Sequence, residues 1–208
     1  MIIAVDGPTA SGKGTIARAL AAHYGLPHLD TGLLYRAVGR QVFLDGGDPD
    51  DASDALAATS FPAGLLLDPH LRSEETGGFA SRVSVHPTVR QALYERQRAF
   101  ATQAGGAVLD GRDIGTVIAP DADAKLFVTA RPEVRAQRRV RELLERGMPG
   151  HYEDVLLDIR ARDERDATRD IAPLRQAIDA DLLDTSDLDV DQAIAEAIRL
   201  VEARVSVR

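Results

Sequence analysis

The sequence predicts an α/β fold, a five-stranded parallel sheet flanked by helices, and three observations carry that prediction. Short apolar runs alternate with stretches of helical periodicity along the 208 residues. Each run is continuous rather than alternating, as in strands buried on both faces. The runs end on polar groups: Asp6-Gly7, Asp30-Thr31, Asp110-Gly111-Arg112-Asp113, Thr129-Ala130-Arg131 and Asp184-Thr185. Strands alternating with helices imply a parallel sheet, and ligands then bind beyond the carboxyl ends of its strands.

Met1-Ile2-Ile3-Ala4-Val5 is the first strand. It runs into Gly7-Pro8-Thr9-Ala10-Ser11-Gly12-Lys13-Gly14-Thr15 and then Ile16-Ala17-Arg18-Ala19-Leu20, which reads as strand, loop, helix. Such a loop turns its N–H groups inward, and the helix adds its positive N-terminal end, so the stretch holds phosphates. The spacing G-x-x-x-x-G-K places Lys13 at the outer phosphates of a nucleoside triphosphate. Gly14 stands where the general pattern has Ser or Thr, so the hydroxyl for phosphate or Mg²⁺ falls to Thr15. A glycine-rich turn without a ligand is the plainer alternative; the strand before and the helix after decide against it.

The first helix carries Ile16, Leu20 and Tyr24 at four-residue steps and stops at Gly25, with Pro27 beyond. A short strand at His28-Leu29 leads into a helix from about Asp30 to Leu44, ended by Asp45-Gly46-Gly47-Asp48-Pro49. From 45 to about 84 the periodicity weakens. The reading there is a short helix from Asp51 to Ala58, one strand at Gly64-Leu65-Leu66-Leu67 and a polar stretch from Arg72 to Gly78, together a small insertion. Pro87 opens a helix with Val89, Leu93 and Phe100 on one face, closed by Gly105-Gly106. Strands follow at Ala107-Val108-Leu109 and Ala124-Lys125-Leu126-Phe127-Val128. Helices then span Pro132 to Arg146 and His151 to Thr168, broken at Gly147-Met148-Pro149-Gly150. A last strand, Asp181 to Asp184, precedes a helix with Val190, Ile194, Ile198, Val201 and Val205 on one face.

At 208 residues and 44% hydrophobic content the chain can bury the core of one domain. It has no cysteine, and no apolar run reaches the roughly 18 residues of a membrane span. The first strand begins at Met1 or Ile2, so a cytoplasmic protein is expected. Net charge is -8, which argues against a nucleic-acid partner. Of the basic residues, 2 are lysines, Lys13 and Lys125, and 23 are arginines. Eleven arginines and ten acidic residues crowd the window from Arg131 to Arg175, and most of these are expected to be surface pairs. The five histidines show no metal-ligand spacing and are read as ordinary.

Four motifs in order, Gly7 to Thr15, Leu29-Asp30-Thr31-Gly32-Leu33-Leu34-Tyr35-Arg36, Asp110-Gly111-Arg112-Asp113-Ile114-Gly115-Thr116 and Arg162-Asp163-Glu164-Arg165-Asp166, resemble the bacterial cytidylate kinases. The likeness extends to Arg135-Ala136-Gln137-Arg138-Arg139 and Asp184-Thr185-Ser186. It implies a P-loop kinase fold with a small monophosphate-binding insertion (about 45–84) and a helical lid (about 145–168). It also implies phosphoryl transfer from ATP to CMP or dCMP with Mg²⁺, by a monomer. Thr31 stands where the family often has serine, and the insertion is shorter than in the family's long members.

The resemblance assigns roles residue by residue. Lys13 and the loop hold ATP. Arg36, Arg112 and Arg169 hold the acceptor phosphate, for which a planar guanidinium is suited. Asp166 takes the ribose, while Arg162 or Arg165 reaches the transition state on lid closure. Asp113 as acceptor, with Arg90 and Ser81 as donors, reads cytosine. Mg²⁺ falls to Thr15 directly and to Asp110 through water, since Asp110 ends an apolar strand. Rival readings are another kinase of the same build, for UMP, AMP, shikimate or gluconate, a nucleotide-binding regulatory protein, or an ATPase with no second substrate. The acceptor arginines weigh against the last two.

Overall fold

All five strands pair parallel in the order β2-β3-β1-β4-β5. The computed structural model describes residues 1–206. Strand β1 (Ile2–Asp6) is central, between β3 (Ala107–Gly111) and β4 (Ala124–Thr129), with β2 (His28–Asp30) and β5 (Asp181–Asp184) at the edges. The chain builds one half of the sheet and then the other around β1, so the loop leaving β1 lies at the crossing point where such sheets bind ligands.

Alternation within β1 serves both faces. Ile3 and Val5 pack with Ile16, Leu20, Leu126 and Val201, the cluster under α1 (Lys13–Tyr24) and α8 (Val190–Val205). Ala4 packs on the other face with Leu109, Ile114 and Ile118 under α5 (Pro87–Ala101). Fully burying each Leu or Ile of this kind contributes about 1.5–3 kcal/mol. A third cluster joins α2 (Thr31–Leu44) to the insertion. A fourth, Ala136, Leu143, Val155 and Ile159, holds α6 (Pro132–Glu145) against α7 (Tyr152–Thr168), and Ala10 of the phosphate loop packs at its edge.

The insertion departs from the sequence reading at one point: residues Ala63–Leu67 form a 3₁₀ turn, not a strand. Among the described residues no strand of the sheet lies beside them to pair with, and Leu65 buries while Leu67 is 86% exposed. The polar stretch, for which the sequence named no element, is the start of helix α4 (Glu74–Val83), beyond the short α3 (Ala52–Ala57). Ser73 Oγ accepts from Thr76 N at 3.1 Å as its cap, and Glu74 and Glu75 occupy the first turn. Two glycines lower its helix propensity, and packing overrides that. A Cβ at Gly39 of α2 would lie 2.8 Å from Ala80 N, so α2 and α4 are in backbone contact.

Candidate active site

The phosphate loop is shaped by its first glycine. A Cβ at Gly7 would fall 2.0 Å from Val128 O, so no other residue lets the chain leave β1 this close to β4. Gly12, at φ 92°, begins α1 and accepts from Thr15 N and Ile16 N at 3.0 and 3.1 Å. Residues Thr9 to Thr15 line a cleft of about 590 Å³, and Gly7 and Pro8 are not part of its lining. Neighbours hold the loop by its carbonyls: Thr185 Oγ1 donates to Ser11 O (3.0 Å) and Arg135 Nη1 to Thr9 O (3.3 Å). Arg135 is in turn clamped by Asp163 at 2.9 and 2.6 Å. Ser11 Oγ is buried without a partner among the described residues. Among the described residues Lys13 Nζ has only Pro8 O as a hydrogen-bond partner, at 3.4 Å. Burial first, then the nearby Arg112 charge, pull its ammonium down to a pKa of about 8.

A second cleft, of about 90 Å³, meets the first at Thr9, Gly32, Arg36 and Arg112. Four arginines face it with donors to spare. Arg36 Nη1 is anchored on Leu71 O and Ser73 O (2.7 and 3.0 Å), leaving Nη2 without a partner among the described residues. Arg112 Nε donates to Asp166 Oδ2 at 2.7 Å, which leaves Nη2 free in the same sense. Arg162 Nη2 donates to Glu74 Oε2 and lies 2.8 Å from Asp158, while its buried Nε has no partner among the described residues. Arg169 Nε donates to Ala172 O, and its buried Nη2 has no hydrogen-bond partner among them, lying 4.0 Å from Asp113 Oδ1. Buried donors left unpaired cost about 1–3 kcal/mol each, and an anionic ligand would satisfy them. Gly77 makes room: a Cβ there would come within 2.8 Å of Arg162 Nη1 and 3.0 Å of Arg36 Nη2. Of the other arginines in the window from Arg131 to Arg175, Arg135 and Arg139 are not surface pairs: their side chains are largely buried, on Asp163 and on Glu74. Others, such as Arg131 with Asp187 and Arg160 with Glu133, are surface pairs.

At the far end of the second cleft Asp113 is paired with Arg90 Nη2, rather than with Arg112, and Arg90 Nη1 donates to Ser84 O at 3.3 Å. The Arg90 guanidinium lies over the Tyr35 ring, 5.6 Å from its centroid. Ser81 lines the same end. Arg165, read with Arg162 as one of two candidates to reach the transition state on lid closure, here donates from its Nε to Ser81 Oγ at 3.1 Å. Three residues along α7 from Arg162, it points about 60° away around the helix, which is enough to reach a different wall of the cleft.

Asp110 is buried at the end of β3. Its Oδ2 meets His28 Nε2 at 2.7 Å, so His28 is a site residue and not an ordinary one, as composition and spacing implied. Its Oδ1 faces the loop, 3.9 Å from where a Cβ of Gly14 would be. Thr31 Oγ1 donates to Asp110 O at 2.8 Å. Among the described residues no group of three or more His, Cys, Asp or Glu forms a metal cage. One carboxylate beside a phosphate loop nevertheless suits Mg²⁺, which takes one or two carboxylates and the phosphates of its nucleotide. Thr15 lines the first cleft but is exposed, its Oγ1 accepting from Arg18 Nη2 at 3.3 Å.

Asp6 was legible only as a polar strand end. Both its carboxylate oxygens accept backbone N–H groups across the sheet, from Ile114 and Gly115 at 2.8 Å each. It thereby ties the start of the phosphate loop to the π-helical turn (Ile114–Ile118) that follows Arg112 and Asp113. Burial is the main cause that raises its pKa from 3.8 to about 7, against the pull of those two N–H groups. A carboxyl raised on folding contributes stability in full below its unfolded pKa and loses it as pH rises through the folded one. Relative to Asp6→Asn, the parent should therefore lose on the order of 2–3 kcal/mol of unfolding free energy between pH 5 and pH 8. Chemical denaturation of both proteins measures this, and a gap constant with pH would mean that Asp6 stays ionised throughout.

Comparison with known proteins follows the same lines as the geometry. A family model described as cytidylate kinase matches residues 3–203. A cytidylate kinase of Xanthobacter autotrophicus is 61% identical over 204 residues, 98% of each chain. One of Rhodopseudomonas palustris is 54% identical over 204 residues, 98% of this chain and 96% of the relative. Among solved structures, an uncharacterized protein from Eubacterium ventriosum shares the fold at a TM-score of 0.58 with 16% identity, over 98% of this chain and 99% of the other. A phosphate loop, a second cleft ringed by arginines and a whole-length match to one family leave one conclusion: the chain belongs to the cytidylate kinase family.

Proposed function

We propose that the two clefts divide between them the reaction of a cytidylate kinase, transfer of the γ-phosphoryl group of ATP to CMP or dCMP to give ADP and CDP or dCDP. The observation that carries this division is the meeting of the clefts at Arg36 and Arg112. A phosphoryl group passing between two nucleotides asks for alignment and positive charge more than for covalent chemistry. Lys13 and the loop N–H groups from Thr9 to Thr15 hold the ATP phosphates. Arg36, Arg112 and Arg169 offer their spare N–H donors to the CMP phosphate, with Thr31 at the wall between. Arg162 stands in from the lid to meet charge developing on the transferred group. Asp166, oriented by Arg112, accepts from the ribose. Asp113, Arg90 and Ser81 face the base: the carboxylate accepts from the N4 amine, and the others donate to N3 and O2. Asp110 and the hydroxyl of Thr15 are the groups that would hold Mg²⁺, which would supply positive charge against the nucleotide's phosphates.

On this reading residues 1–208 are one domain, with the insertion (45–84) carrying the base end of the acceptor cleft and the lid (145–168) closing over both. The enzyme is a monomer of the cytoplasm acting on free nucleotides. No helix among the described residues is long and apolar enough to cross a membrane. The test is a coupled assay with ATP and a panel of CMP, dCMP, UMP, AMP, shikimate and gluconate. CMP and dCMP should lead every other acceptor by at least roughly tenfold in kcat/KM. Hydrogen exchange should show amides around 147–150 and in the flanking helices gaining protection when analogues of both nucleotides bind together. A different leading acceptor would overturn the substrate, and unchanged exchange would overturn the lid.

A further inference from the structure

Arg165 joins the lid to the base end of the acceptor cleft by one bond, from its Nε to Ser81 Oγ at 3.1 Å. Ser81 lies on α4 and lines the cleft beside Arg90 and Asp113. Its hydroxyl donates to no group among the described residues. A serine hydroxyl is ordinarily ambivalent: it has one proton and two lone pairs and rotates to suit its partner. A guanidinium is not. It has only N–H donors and stays charged, so whatever faces it must accept. Opposite Arg165 the hydroxyl gives up one lone pair to the cation, which polarises it: its O–H becomes a stronger donor and its remaining lone pair a weaker acceptor.

The difference bears on the base. Cytosine presents an acceptor at N3 and uracil a donor, and a free serine would serve either. We infer, on the reading that the base sits against Ser81, Arg90 and Asp113, that Arg165 is a specificity-determining residue acting through Ser81. With N3 of the base against Ser81, the polarised hydroxyl favours the N3 acceptor of cytosine over the N3–H of uracil, which finds only the weakened second lone pair. Since Arg165 belongs to α7, the hydroxyl is polarised only while α7 lies against α4. Base selection is thus made in the closed arrangement, alongside the arginines that serve transfer.

The test measures kcat/KM for CMP and UMP in the parent, Arg165→Met, Arg165→Lys, Ser81→Ala and the Ser81→Ala/Arg165→Met double variant, with thermal melts confirming that each is folded. Arg165→Met should lower the CMP to UMP ratio about tenfold, as loss of one polar discriminator does. Arg165→Lys retains a cationic donor and should keep the ratio within about twofold of the parent. Ser81→Ala should lower the ratio as Arg165→Met does, and the double variant should show no further loss, because both changes remove one device. A parental ratio in Arg165→Met with a reduced one in Ser81→Ala would overturn the inference and leave the base reading standing. Losses that multiply in the double variant, or a lysine variant as poor as the methionine one, would overturn it as well. A parental ratio in Ser81→Ala would mean that the base does not meet Ser81, and the reading beneath would fall with it.

Discussion

Lys13→Ala is expected to lower kcat by about 10²–10³-fold or more, the cost of removing one preorganised charge from a transferring group, while the protein melts no lower than the parent at pH 7. The second half follows from what Lys13 touches. Its ammonium has one carbonyl partner at 3.4 Å and a pKa pulled down to about 8, chiefly by burial. A lysine depressed on folding costs stability while it is charged. That cost is present in full below about pH 8 and is relieved as pH rises from there toward the unfolded value of 10.5. Removing the side chain removes the cost, so any advantage of the variant should fade above pH 8. Stability is set aside at this position for a charge that nucleotide phosphates would pair. Turnover near the parent's, measured in the coupled assay, would remove Lys13 from the mechanism. A large fall in melting temperature would show that its role is structural.

Arg112→Ala should lose acceptor use by about 10³-fold in kcat/KM for CMP, and should also destabilise the fold. Arg112 stands where the two clefts meet, and its Nε holds Asp166, whose side chain is 9% exposed. Breaking a buried pair by deleting one partner costs about 3–5 kcal/mol, because the other charge is left alone. With Arg112 itself 24% exposed, a loss of about 1–3 kcal/mol is expected here. The double variant Arg112→Ala/Asp166→Asn neutralises the stranded carboxylate and should recover much of the stability but none of the activity. Affinity for ATP, by calorimetry, should change far less than affinity for CMP. Recovery of CMP turnover together with stability would show that Arg112 serves only to balance Asp166.

Much of the fold was legible because its rules are local. The glycines of the phosphate loop, the apolar runs of β1, β3 and β4 and the stop signal of α1 act over a few residues, and they are where they were read, while α5 ends at Ala101, short of Gly105-Gly106. The insertion was not legible, for a related reason. Gly77 and Gly78 weaken α4 on any scale of propensity, and only contact with Gly39 of α2 and with the guanidinium groups of Arg36 and Arg162 explains why glycine and helix coexist there. Lacking a neighbour to pair with, the leucines of Ala63–Leu67 turned rather than extended.

By itself, then, the sequence determined that this protein binds phosphates, where the loop for them lies, that the sheet is parallel and, through motifs in order, which family the chain belongs to. Each of these depends on residue type at short spacing, which the chain carries whether folded or not. Tertiary structure alone decided how the arginines are shared out. Arg162 turns to Glu74 and Arg165 to Ser81, although both were eligible for the same role. Arg112 takes Asp166 from 54 residues away and leaves Asp113 to Arg90, while Asp6 reaches Ile114 across 108 residues. The physical reason is that a charge or hydrogen-bonding group is indifferent to sequence distance. Its partner is whichever complementary group the packing of other elements brings within about 3 Å, and the energies that select one partner over another arise only after water has been excluded from between them.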